Sequence, residues 1–133
     1  MKAIGAVLAV ALAVFGLGAA WAVDGDLPGR TELKRADLDG APGMEVITSI
    51  VVIAPGEVMP AHLHHGVETG YVLEGGRVAP EGKPEFELAT GAPLMNLRGV
   101  VHGGFKVVSD TPIKLLTVHI VDKDKPLYDG MKP

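Results

Sequence analysis

Apolar and polar positions along the chain fall into short alternating runs rather than helical stripes. The densest run is MEVITSIVVIA at residues 44–54, where β-branched side chains crowd together. Such side chains suit a pleated, half-buried surface, so the run predicts a strand. Strand-like pieces recur at residues 70–74, 86–89, 94–97, 105–109 and 113–121. Turn-forming residues separate them, as in Ala54-Pro55-Gly56, Glu74-Gly75-Gly76, Pro80-Glu81-Gly82 and Ser109-Asp110-Thr111-Pro112. Residues 31–38 (TELKRADL) fit a short helix by propensity or a first strand. The strand is preferred, because the stretch leads straight into the β-rich run and helix propensity is a weak prior. Beyond residue 30 no window keeps an apolar repeat of helical period over three turns. Many short strands with regular turns predict an all-β sandwich or barrel, compatible with one jelly-roll domain.

The ends of the chain read differently. Residues 1–22 (MKAIGAVLAVALAVFGLGAAWA) carry one charge, Lys2, then an apolar run closing on Ala20-Trp21-Ala22. This is the pattern of a secretory signal peptide cut after Ala22, leaving residues 23–133 as a single domain. An uncleaved anchor is the competing reading, since residues 3–23 are long enough to cross a bilayer at about 1.5 Å per residue. Cleavage is preferred because the run is rich in Ala and Gly and has no basic stop behind it. The expected product is exported, periplasmic or extracellular, and free of the membrane. Residues 24–30 and the charged tail after Val121 (DKDKPLYDGMKP) are expected to be loose, the tail alternatively reaching a partner subunit.

Composition narrows the function. The apolar fraction is 47%, with 18 glycines, 10 prolines and no cysteine. Removing Lys2 turns 12 cationic residues into 11 against 16 acidic ones, moving the formal charge from −4 to −5. An acidic chain with no basic run gives no support to nucleic-acid binding. Without disulfides, about 111 residues must be held by their own core, a dimer interface or a metal.

Three of the five histidines lie within HLHH, residues 62–65. On a strand His62 and His64 project to one face and His65 to the other, toward the rim or a partner, as a partly exposed polar residue. Two imidazoles on an inward face are costly to bury unless something satisfies their nitrogens, which a divalent metal does. Glu68 follows across Gly66, which permits a bend, and brings a carboxylate to the same point. Imidazole with carboxylate suits Fe, Mn, Ni, Cu or Zn, and the lack of cysteine removes thiolate sites. Taken alone, the cluster also fits surface histidines on a loop, or core histidines satisfied by hydrogen bonds.

The wider frame Gly56, His62, His64, Glu68, Gly75 reads G-x5-H-x-H-x3-E-x6-G and resembles the first motif of the cupin family at every position. Gly91, Gly99 and His102 have the spacing of the second motif. That motif is incomplete: Leu97 stands for its proline, Lys106 for its asparagine and Ala92 for a frequent acidic residue. The resemblance spans roughly residues 45–120. It implies a jelly-roll β-barrel holding one divalent transition metal through His62, His64, Glu68 and His102. It further implies a small-molecule ligand, with chemistry like that of the quercetin-type dioxygenases, or a Lewis-acid isomerase or lyase in which Glu68 can serve as base. A non-catalytic binder of metal or small molecule is the alternative. A homodimer is expected because small jelly rolls have edge strands that benefit from pairing.

Three further expectations concern individual side chains. His119 shares a strand face with Leu115, Thr117 and Val121; an inward face would make it a proton shuttle beside the ligands. The outward face is preferred, making it an ordinary surface histidine. Glu45, Glu74, Glu85 and Glu87 are expected on the solvent side. Tyr71 and Phe105 are expected in the core rather than lining a pocket.

Overall fold

A computed structural model describes residues 26–131, so the predicted signal segment 1–22 lies outside the described residues. Nine strands follow in order: β1 Arg30–Asp37, β2 Met44–Ile53, β3 Val58–Met59, β4 Gly66–Glu74, β5 Gly76–Pro80, β6 Phe86–Leu88, β7 Pro93–Asn96, β8 Phe105–Val107 and β9 Ile113–Asp122. All pair antiparallel, in a five-stranded sheet of order β1-β2-β9-β4-β7 and a four-stranded sheet of order β3-β8-β5-β6. Among the described residues no helix is long and apolar enough to cross a membrane. The stretch 31–38 is a strand, as its position before the β-rich run suggests.

Period-two alternation sets the interior. Along β2 and β9 every second residue is buried, and the two strands run side by side over their whole length. The inward face of β9 is apolar at Ile113 and Leu115, then polar at Thr117 and His119. Val72, Val78, Val107 and Ile113 form the most enclosed part of the core, with Met59 and Tyr128 packed into the same cluster.

Both ends are more ordered than their composition suggests. Leu27 is buried, and Asp26 holds the turn by accepting from the Leu27 amide at 2.8 Å and from Arg30 Nε at 2.6 Å. In the tail, Tyr128 is 3% exposed and Asp129 exchanges two backbone hydrogen bonds with Leu63, at 2.9 and 3.1 Å. The apolar pair Leu127-Tyr128 draws the charged tail back onto the barrel, since burying a large apolar side chain contributes on the order of 2 kcal/mol.

Two side-chain expectations also change. Glu45 is 6% exposed rather than solvent-facing, because β2 turns it inward and Arg35 Nη1 donates to its Oε1 at 2.7 Å. Glu74, Glu85 and Glu87 are exposed. Tyr71 is 47% exposed and outside the core, whereas Phe105 packs against the core and lines a cavity.

Candidate metal centre

The two motif segments meet through their backbones. His62 and His102 exchange two hydrogen bonds, at 2.9 and 2.8 Å, and their ring centroids stand 4.3 Å apart. His62 and His64 lie on a connecting segment rather than in a named strand, yet the alternation expected of a strand survives: both are buried and His65 is not. His65 Nε2 instead pairs with Asp129 Oδ2 at 2.8 Å. Gly66 does not serve as a bend. It opens β4 where a Cβ would fall 2.0 Å from the Ile120 carbonyl oxygen, so only a glycine lets β4 approach β9 there.

Each of the three histidines is oriented in the same way. Nδ1 of His62 donates to the Pro60 carbonyl at 2.8 Å, Nδ1 of His64 to Leu127 at 2.5 Å, and Nδ1 of His102 to Val100 at 3.0 Å. A carbonyl only accepts, so the proton sits on Nδ1 and Nε2 is the nitrogen left to face the interior. These three rings form a group whose ligand atoms lie within 4.8 Å of one another. Nε2 of His64 is buried with no hydrogen-bond partner. An inward-facing imidazole nitrogen without a partner, beside two others and a carboxylate, fits a divalent ion.

Glu68 lies on β4 beside these rings. Its cross-strand neighbours are Asn96 on β7 and His119 on β9. Asn96 Nδ2 donates to Oε2 at 2.6 Å, and His102 Nε2 stands 3.1 Å from the same oxygen. His64 Nε2 stands 3.3 Å from Oε2, and His119 Nε2 stands 3.4 Å from Oε1. Burial alone would push the Glu68 carboxyl up, but His102, His119 and His64 outweigh it and hold the group far below the usual carboxylate range. For His62, burial dominates and pushes the ring down to about 4, despite the Pro60 contact. His102 is also opposed by burial, yet its bond to Glu68 raises it above its ordinary value.

His119 corrects the sequence reading. It is 0% exposed, on the inward face of β9, and neither ring nitrogen has a hydrogen-bond partner. The polar face of β9 is the inner one because the site it lines is itself polar. The outer residues Leu116, Val118 and Ile120 are only partly buried. Asn96 and Tyr128 were not singled out in the sequence, and Thr117 was named only as sharing a strand face with His119. Only the strand register and the returning tail bring them to the site.

A cavity of about 140 Å³ opens beside the cluster. His62, Glu68, Asn96, His102, Thr117 and Tyr128 form its polar wall; Val51, Met59, Phe86, Leu88, Leu94, Phe105 and Leu115 form the rest with Gly103, and among the described residues no lysine or arginine lines it. The hydroxyls of Thr117 and Tyr128 are buried without partners. Burial pushes the Tyr128 phenol well above its ordinary value, so it stays protonated.

A family model described as the cupin domain matches residues 49–119. No curated protein matches the chain. Among solved structures, a double-stranded β-helix protein from Klebsiella pneumoniae is similar with a TM-score of 0.58 at 14% identity, over 78% of this chain and 84% of that one. The cupin domain of Schizosaccharomyces pombe Cnp3 gives a TM-score of 0.50 at 16% identity, over 70% and 64%. The polyketide cyclase RemF of Streptomyces resistomycificus gives 0.48 at 24% identity, over 79% and 76%.

Proposed function

The chain belongs to the cupin domain family, and on that premise we propose that it is a small-molecule metalloenzyme of dioxygenase type. In this reading one divalent transition metal is held by His62, His64, Glu68 and His102. The observation that carries it is the common anchoring of three Nδ1 atoms on backbone carbonyls, which leaves Nε2 of each ring available. Bound there, the metal supplies a Lewis-acid centre for an oxygen donor and, for Fe, Mn, Ni or Cu, a redox route to dioxygen.

The chain's own residues do the rest. Asn96 holds the Glu68 carboxylate in place. The low pKa of Glu68 favours the role of ligand over that of base, since an efficient general base titrates near the working pH. An unpartnered buried hydroxyl costs about 1–3 kcal/mol. Thr117 and Tyr128 each carry one toward the cavity, where a substrate oxygen would satisfy them. The apolar lining, with no lysine or arginine among the described residues that form it, supports a compact, uncharged substrate body with an oxygen-bearing head, rather than a phosphate.

A second reading, a non-catalytic binder, is favoured by the same weak basicity of Glu68, the one carboxylate among the described residues that line the cavity. The proposal also includes export after cleavage at Ala22, a single domain over residues 23–133, and pairing of two copies. The edge strand β1, exposed at every residue after Arg30, supports pairing. N-terminal sequencing of the secreted chain checks the cleavage, and light scattering checks the pairing.

Elemental analysis of protein purified without a histidine tag tests the centre. The expected result is about one equivalent of Fe, Mn, Ni or Cu, lost in the His62→Ala, His64→Ala double variant, with metal-dependent oxygen uptake on candidate enols or diols. Zinc alone would redirect the reading to isomerase or lyase chemistry. No metal even after reconstitution would sink the metal centre.

A further inference from the structure

His119 lies outside the ligand set that the motifs supply, and its surroundings do not fit an ordinary core histidine. A buried imidazole is costly unless its nitrogens find partners. This one has none within hydrogen-bond geometry at either nitrogen, although it is fully enclosed. Its position is fixed from both sides, by Ile47 on β2 and Glu68 on β4. Its ring centroid lies 4.6 Å from that of His64, and Nε2 faces Glu68 Oε1 at 3.4 Å. His64, Glu68 and His119 form a second group whose ligand atoms lie within 4.8 Å of one another, and it shares His64 with the His62, His64, His102 group. Glu68 stands between the two groups, with Oε2 toward His102 and Oε1 toward His119. Two imidazoles and one carboxylate are a donor set that suits a divalent transition metal.

We propose that His119 is an additional protein donor to the metal that His64 and Glu68 hold. The proposal rests on the metal-centre reading given above. A fourth imidazole makes the donor set richer in nitrogen, which favours Cu, Ni or Zn over Mn.

The test is titration of the purified full chain, labelled with 15N at histidine and stripped of metal, with Zn(II). Ring nitrogen resonances are followed by NMR, and His119 is assigned through the His119→Gln variant. The expected result is that His119 moves together with His62, His64 and His102 as one equivalent is added. If the other three move and His119 does not, the proposal is overturned and the four-residue centre stands. If none moves, the metal centre falls and this proposal falls with it. Affinity gives a second readout that does not depend on chemical shifts: Zn(II) binding measured by chelator competition should weaken about 10–100-fold in His119→Gln. It should stay within about twofold in Glu87→Gln, an exposed carboxylate on β6 that belongs to neither group of candidate ligands. Equal affinity in His119→Gln and the parent protein would overturn the proposal.

Discussion

Asn96 decides how Glu68 is presented. Its amide donates to Oε2 at 2.6 Å from the neighbouring strand, holding the carboxylate between the histidines. Asn96→Ala removes that hold without removing a ligand. Partners of this kind contribute about 10–100-fold to metal affinity. The expected outcome is weaker binding in that range with an unchanged fold, read by chelator competition and circular dichroism. His62 gives a pH prediction for the metal-free chain. Burial pushes its folded pKa down to about 4 from an ordinary 6.5. Between those values the unfolded chain binds a proton that the folded chain refuses, so stability rises with pH across the window. The contribution is fully present above about 6.5 and is lost as pH falls toward about 4. Denaturant midpoints of metal-free protein should fall over that interval, and His62→Gln should flatten the decline.

At the level of elements, what could be read from the sequence depended on how much of each signal was local. β2 and β9 are long, rich in β-branched residues and regular, so their sequences alone place them. β3 has two residues, and β5 reads GRVAP, too polar and proline-bounded to stand out from the loops around it. The four proposed ligand positions stood out because fixed spacing along the chain marks them, even with the second motif incomplete. Asn96 and His119 were not, because each reaches Glu68 by register across a sheet, and register is a property of two strands. The tail misled for a related reason. Its charges describe residues 122–126, whereas Leu127 and Tyr128 determine where it goes. Leu127 in turn supplies the carbonyl that orients His64. A segment expected to be loose or to reach a partner subunit is therefore one of the supports of the site.

Across the whole molecule, the interior divides into an apolar core and a polar cluster joined by one cavity, while the surface keeps several bare apolar side chains. Met95, Leu97, Val100 and Val101 are all exposed, near the segment that carries His102. β1 sits at the sheet edge, yet Glu32, Lys34, Arg35 and Asp37 give it charges that discourage indiscriminate strand addition. The chain has no cysteine. Among the described residues that line the cavity the one sulfur belongs to Met59, a buried side chain beside His62 and Gly103. That placement gives the protein a built-in wear point. If dioxygen is handled at this centre, stray oxidant meets a thioether before it meets solvent, and a sulfoxide there would put a polar group into the apolar wall. Ageing under turnover should therefore be recorded as one added oxygen on the Met59 peptide by mass spectrometry, ahead of the exposed Met95. On the proposed dioxygenase function, a Met59→Leu variant should keep its activity over more cycles.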